Sequence, residues 1–207
     1  MKRRTGHILT KRLRGTTLPE LIIALTITSF IASGMATVMF AASYGTSSRR
    51  EIRRLVGRSQ AVRNRIDDAL RNARAVLANG TSSGNVYLVL WRGDSTGDGT
   101  VNVSELQFIE LPNASTTLTS YQVTATPATD TSYAASTNFY TAAVAARTAG
   151  TLVGTVWSTT ASNFTVTLND ATPSDATMAT WSITLTDKLL SEQLVGAASL
   201  RVQGAPQ

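Results

Sequence analysis

Between Leu21 and Ala42 lie 22 residues without a charge, LIIALTITSFIASGMATVMFAA, directly after a basic segment. No other feature limits this chain so strongly. At ~1.5 Å per residue, a helix of that length crosses the ~30 Å hydrocarbon core of a bilayer. Its polar members, Thr26, Thr28, Ser29, Ser33 and Thr37, carry hydroxyls that can bond back to helix carbonyls. A buried helix of a soluble protein has a similar composition, but the basic tail in front of the run favours a targeting or anchoring segment. A cleaved secretory signal fits less well, because its apolar region spans roughly 7–15 residues. Here the run is longer and a carboxylate, Glu20, stands at its entrance. A carboxylate at the edge of a membrane helix is costly and points to a function. Near a helix N-terminus it is also favoured by the macrodipole. Pro19 suits the first helical turn, where its missing N–H costs nothing.

The net charge of +6 comes from 19 Lys and Arg against 13 Asp and Glu. Residues 1–15 carry six of the positive charges and no acid, so residues 16–207 are neutral overall. The basic pI of 10.2 therefore belongs to a short tail and is no argument for a nucleic-acid-binding body. There is no cysteine, and His7 is the one histidine. Disulfide frameworks and thiolate metal sites are excluded, as are Ser-His-Asp catalysis, Cys-His catalysis and His-ligated zinc beyond the tail. Most hydrolase and metalloenzyme readings end here.

The stretch Arg14-Gly15-Thr16-Thr17-Leu18-Pro19-Glu20-Leu21-Ile22 resembles the type IV prepilin signature, shared with the pseudopilins of type II secretion. The resemblance implies cleavage after Gly15 by a membrane-embedded prepilin peptidase and methylation of the new N-terminus, Thr16. Glu20 then becomes the fifth mature residue. Two positions depart from the family pattern: Thr16 stands where Phe or Met is usual, and Pro19 where Ile or Val is common. The resemblance assigns Glu20 to assembly, paired with the mature amino terminus of a neighbouring subunit. A misplaced subunit would leave one of those charges unpaired. It also puts the leader in the cytoplasm and the C-terminal part outside, on a single pass through the inner membrane. The charge count alone does not orient the chain, because Arg49, Arg50, Arg53, Arg54 and Arg58 follow the span closely.

Residues 49–78 hold a second helical pattern. Apolar residues recur mostly every three or four positions, at Ile52, Leu55, Val56, Val62, Ile66, Ala69, Leu70, Ala73, Val76 and Leu77. Nine arginines with Glu51, Asp67 and Asp68 occupy the other face. Asn79-Gly80 reads as the helix stop, so one helix is expected from about Leu18 to Ala78. The arginines suit a solvated face, lipid headgroups, acidic partner subunits or DNA. No aromatic residues interleave them, so nucleic acid is the weaker reading.

From residue 79 on, Thr, Ser and Ala dominate. Strands are expected at Val86–Trp91, Leu106–Leu111, Tyr121–Thr126, Phe164–Leu168, Trp181–Thr186 and Ala198–Val202, separated by Gly, Asn, Asp and Pro. Residues 113–160 are weakly patterned and read as long loops with a few short strands. Asp94-Ser95-Thr96-Gly97-Asp98-Gly99-Thr100-Val101-Asn102-Val103-Ser104-Glu105 resembles the calcium loop of EF-hand and dockerin modules. That likeness implies Ca2+ held by Asp94, Thr96, Asp98, the Thr100 carbonyl, Asn102 and Glu105, with the turn at Gly99. Thr96 stands where Asp or Asn is normal. A plain Asp-Gly turn between two strands explains the same residues.

The expected architecture is α+β. A long N-terminal helix, membrane-spanning in its first half and amphipathic in its second, packs on a mostly antiparallel β-sheet head. The expected divisions are a basic leader 1–15, the transmembrane and assembly half 16–45, the Arg-rich half 46–80 and the head 81–207. The expected function is a pilin-like subunit of a type II secretion pseudopilus or type IV pilus, with a minor, J-like pseudopilin suggested by size. Expected partners are the prepilin peptidase, other pilin or pseudopilin subunits and inner-membrane lipid. An uncleaved membrane-anchored calcium-binding or adhesive protein, and a DNA-uptake minor pilin, are the alternatives.

Overall fold

The computed structural model describes residues 17–124, 130–188 and 190–200, apart from the side chains of 46–48. Helix α1 runs from Leu18 to Asn72. The chain forms two compact units, one up to Arg50 and one from Glu51 on, and each is described by itself.

In the first unit α1 is apolar on every side, and none of that surface is covered. Leu21, Ile22, Ile23, Leu25, Ile27, Phe30, Ile31, Met35, Val38, Met39 and Phe40 are all exposed, Phe30 by 75%. The hydroxyls of Thr26, Thr28, Ser29 and Thr37 each donate to the carbonyl four residues earlier, at 2.6 to 2.9 Å. These four hydroxyls are thus satisfied within the helix without water, as suits a helix in hydrocarbon. Among the described residues it is the one helix long and apolar enough to cross a membrane.

From Glu51 on, burial becomes one-sided. Leu55, Ser59, Val62, Ile66, Ala69, Leu70 and Ala73 are buried, three or four residues apart as one helical stripe requires. Ile52 and Val56, expected on the same stripe, are 47% and 39% exposed and lie off it. The helix also ends earlier than the Asn79-Gly80 signal suggests. Strand β1, Ala75–Ser82, contains both residues and pairs antiparallel with β2, Asn85–Trp91, from Ala75↔Trp91 to Ser82↔Asn85. The two-residue turn between them, Ser83-Gly84, has positive φ at both positions (50° and 82°), the geometry of a tight hairpin turn. A closed hairpin pairs 75–82 with β2 on both sides of a bulge at Leu77, and this outweighs the weak helical periodicity of Val76 and Leu77.

The remaining elements follow in order: β3 Val101–Asn102, β4 Leu106–Leu111, β5 Leu118–Gln122, β6 Ser132–Tyr133, α2 Phe139–Thr148, β7 Val153–Ser158, β8 Ala161–Leu168, β9 Met178–Asp187 and β10 Leu190–Ser199. They build a five-stranded sheet β1-β2-β4-β5-β7, a three-stranded sheet β10-β9-β8 and the small pair β3-β6. Every pairing is antiparallel. The fold is α+β, a helix packed on an antiparallel head, as expected.

Strand alternation divides the interior into two cores. Leu88 and Leu90 of β2 join the α1 stripe and Trp181, Ile183 and Leu185 of β9 in one core. Val89 and Trp91 face the other way, into a second core with Phe108, Phe139, Ala143 and Ala146. The five-stranded sheet is therefore covered on both faces, which explains the unbroken apolar run of β2. The second core needs α2, which lies inside the stretch expected to be loops. Its buried side is mostly alanine (Ala142, Ala143, Ala146), too small to mark a helical period by hydropathy. Its N-terminus is capped by Asn138, whose side chain accepts from the Thr141 N–H at 3.1 Å. Near its other end Arg147 pairs with the fully buried Glu110 of β4 and lies over the rings of Phe108 and Tyr121.

Of the expected strands, Val86–Trp91, Leu106–Leu111, Phe164–Leu168 and Trp181–Thr186 coincide with or lie within β2, β4, β8 and β9. Tyr121–Thr126 overlaps β5 only at Tyr121 and Gln122, and residues 125 and 126 are outside the described residues. Ala198–Val202 catches only the end of β10, with 201 and 202 outside the described residues. Gly196 of β10 has a packing reason: a Cβ there would sit 2.4 Å from the Trp181 ring opposite it. That ring in turn donates from Nε1 to Asp67 of α1 at 3.0 Å.

Candidate functional site

Two places in the fold gather the residues singled out by sequence. Gly15 and Thr16, the expected processing residues, lie outside the described residues. Glu20, the expected assembly residue, occupies the first turn of α1. Its Oε2 accepts from both the backbone N–H and the hydroxyl of Thr17, each at 3.0 Å. This is the reciprocal half of a capping box, and the T-x-x-E spacing of Thr17-Leu18-Pro19-Glu20 was its legible signal. Among the described residues Oε1 accepts no hydrogen bond, and no cation stands within ion-pairing distance. Glu20 thus keeps one oxygen for another partner.

The second place is the loop 94–105, between β2 and β4. Its three carboxylates are each turned onto N–H donors of the loop itself. Asp94 Oδ1 accepts from the N–H groups of Gly97 (2.6 Å) and Asp98 (3.1 Å), and Oδ2 from that of Gly99 (2.9 Å). Asp98 Oδ1 accepts from the Thr100 N–H and hydroxyl, both at 2.8 Å. Gly97 and Gly99 have φ of 75° and 74°, so the wrapping of the loop around these side chains calls for glycine at both positions.

Glu105 is only 2% exposed. Its Oε1 accepts from the Ser95 hydroxyl at 3.0 Å and from the N–H groups of Ser95 and Thr96. Its Oε2 accepts from Trp91 Nε1 at 2.9 Å and the Asn102 N–H at 3.2 Å. Five donors neutralise a buried carboxylate that has no ion-pair partner among the described residues. Glu105 therefore fastens the loop to the core tryptophan at the end of β2.

Asn102 ties the loop from the other side. Its Nδ2 donates to Thr96 Oγ1 at 2.8 Å and Asp98 Oδ2 at 3.0 Å, while Oδ1 accepts from the Ser132 hydroxyl. These bonds hold the Asp98 carboxyl at about 2, below its ordinary 3.8, with the Asn102 amide as the largest cause and the Thr100 N–H and hydroxyl next. The folded value is depressed, so this contribution is present above pH ~3.8 and is lost as the pH falls through about 2.

The six residues expected at calcium are thus in one loop, but arranged as a hydrogen-bonded knot. Among the described residues no three Asp, Glu, His or Cys side chains gather closely enough to hold a metal ion. Sequence reasoning missed Trp91, Ser95 and Arg74, whose guanidinium lies 4.4 Å over the Trp91 ring and 3.8 Å from Asp94 Oδ2. It also missed Asp130, which accepts from the Ser104 N–H and hydroxyl. Trp91 was legible as a strand end facing position 105; Asp130 carries no sequence signal, since the chain between it and the loop sets their meeting.

The arginine face is less open than its charge suggests. Arg58 pairs with Asp187 at 3.0 Å, Arg63 with Asp67 at 3.8 Å, and Lys188 of the β9–β10 turn reaches back to Glu51. Arg53, Arg54 and Arg71 make no ion pair among the described residues. Pairs this exposed contribute about 0–1 kcal/mol each, so they orient the head more than they stabilise it.

No known protein family, curated protein or solved structure matches this chain.

Removing the Glu105 carboxylate should undo the knot. Glu105→Ala leaves the N–H groups of Ser95, Thr96 and Asn102 and the Trp91 indole without their acceptor, a loss of about 3 kcal/mol or more. Urea unfolding followed by tryptophan fluorescence measures it, and Glu105→Gln should lose clearly less. Equal stability of all three proteins would show that the carboxylate does not anchor the loop.

Proposed function

We propose that this chain is a pilin-like structural subunit, cleaved after Gly15 by a prepilin peptidase. It assembles through its N-terminal helix into a type II secretion pseudopilus or a type IV pilus. The observation that carries this reading is the first half of α1, apolar and uncovered on all sides immediately after Glu20. So much apolar surface demands lipid before assembly and other helices after it. The Glu20 oxygen left over by Thr17 supplies a charged acceptor at the start of that surface. In an apolar bundle a carboxylate must find a cation, and the mature amino terminus of a neighbouring subunit is one. The antiparallel head on the lower helix agrees with the layout of such subunits. The protein is in this reading a substrate of the peptidase and has no catalytic residues of its own. Its site is the inner membrane, with the head outside the cytoplasm.

The Glu20→Ala protein should insert in the membrane and be processed at the wild-type level. It should enter sheared filaments at under about a tenth of that level, since an unpaired buried charge costs several kcal/mol. Immunoblots of membrane and filament fractions measure both. Incorporation equal to the wild type would remove the assembly role.

We also propose that the loop 94–105 takes Ca2+ in place of the internal hydrogen bonds of the Asn102 amide. Thr96 Oγ1 and Asp98 Oδ2 already converge on the single Nδ2 of Asn102, and a turn of that amide would present its oxygen to the same point. The Thr100 carbonyl and the Asp94 carboxylate lie in the same loop, while Glu105 contributes by holding the loop in place. Calorimetric Ca2+ titration of the full chain in detergent should show binding at millimolar or tighter concentrations, lost in Asp98→Ala. No heat up to several millimolar removes calcium from the account.

A further inference from the structure

The two edges of the five-stranded sheet are treated differently. At one edge, β1 is flanked by the short 3-10 turn Pro173–Asp175 and by β8, whose Val166 carbonyl accepts from Asn79 Nδ2 at 3.2 Å. At the other edge, among the described residues, β7 pairs with β5 alone. Val153, Gly154, Thr155 and Val156 are all exposed there, Val156 by 50%. An open edge of this kind is a template for another strand unless something blunts it. β7 carries no proline and no charge of its own.

What stands beside that edge is basic. Arg65 of α1 donates to the Val156 carbonyl at a long 3.4 Å, so this carbonyl is open to a donor from outside the β5 ladder. Alternation in an antiparallel strand puts the Gly154 backbone on the same outer side. Two clefts line the groove between α1 and β7 and share Arg65 and Trp157. One, of about 240 Å³, also holds Arg92, Gln107, Gln122 and one acid, Asp68, and the other, of about 320 Å³, holds Arg58 and Val62. The Arg92 guanidinium donates to the Gln122 amide oxygen at 3.4 Å. Neither Arg65 nor Arg92 has a carboxylate within ion-pairing distance among the described residues. Three arginines, Arg58, Arg65 and Arg92, against the single acid Asp68 thus leave the clefts net basic beside a strand edge that has no partner among the described residues.

We infer that the β7 edge is a docking edge for an extended segment of a protein partner bearing acidic side chains. The partner's backbone continues the β1-β2-β4-β5-β7 sheet by pairing with Gly154 and Val156. Alternate carboxylates on the α1 side of the added strand reach Arg65 and Arg92, and the apolar side chains between them extend the opposite face of the sheet. Backbone pairing supplies affinity and the arginines supply selection, the usual division of labour in strand addition. Every residue used lies from Glu51 on, so the inference stands apart from the role proposed for the apolar half of α1.

The test uses the full chain in detergent and a labelled peptide of about eight residues alternating Val and Glu. The same peptide with Lys in place of Glu is the control. Fluorescence anisotropy should show saturable binding of the acidic peptide and at least about tenfold weaker binding of the basic one. Arg65→Glu should weaken the acidic peptide by about tenfold. Val156→Pro, which removes an outward N–H while sparing the β5 ladder, should abolish binding. Amide exchange should slow at Gly154 and Val156 on peptide addition in the wild type. If Val156→Pro fails to fold, the Arg65→Glu and exchange results decide alone. Equal binding of both peptides, unchanged binding to Arg65→Glu, or no change in exchange at β7 would overturn the inference. So would concentration-dependent dimers of the chain that protect β7 without peptide, because the occupant would then be a second copy.

Discussion

One stripe of α1, from Leu55 through Ser59, Val62, Ile66 and Leu70, is the surface on which the whole head is assembled. Both larger sheets send side chains to it: Leu88, Leu90 and Ile109 from the five-stranded sheet, Trp181, Ile183 and Leu185 from β9. Polar contacts fix the three-stranded sheet to the same helix at three levels, through Glu192 to Ser59, Asp187 to Arg58 and Trp181 to Asp67. Neither sheet could bury its inner face without the helix, since an isolated three-stranded sheet has little core of its own. The helix that carries the apolar segment is therefore also the keystone of the head, and nothing can be cut from it after Glu51 without exposing both sheets.

The change from all-round to one-sided apolarity along α1 was plain in the sequence, because it rests on periodicity and on long uncharged runs. So were the strands of the inner sheet face, where large β-branched and aromatic residues are continuous. What escaped was decided by pairing between distant residues. The Asn79-Gly80 stop signal is inside a strand because the Ser83-Gly84 turn lets 78–82 pair residue by residue with β2. Helix α2 escaped because alanine buries against the second core without marking a period. Its arginine is set against Glu110, 37 residues away, and no local pattern connects them.

The loop 94–105 shows the same boundary between legible and hidden. Its acidic and glycine positions stand out in the sequence, and the structure brings all of them together. The sequence does not reveal that each carboxylate has protein donors of its own. Asp94 and Asp98 close the turns of the loop, while Glu105 belongs to the core through Trp91. A motif read for its oxygens is here equally a motif for capturing N–H groups, since both demands select carboxylates spaced around glycine turns.

At the head of α1 the account depends on a short piece of chain whose chemistry is simple to read. Glu20 is positioned in the first turn and followed by apolar surface; the assembly role proposed for it requires that a new amino terminus be made near it. Intact-mass and N-terminal peptide mass spectrometry of the membrane-extracted protein measures this directly. A mature chain beginning at Thr16, with the mass of residues 1–15 missing and a methyl group on its N-terminus, is the result this account predicts. A chain that still begins at Met1 would contradict it and leave an anchored protein that does not polymerise through its helix.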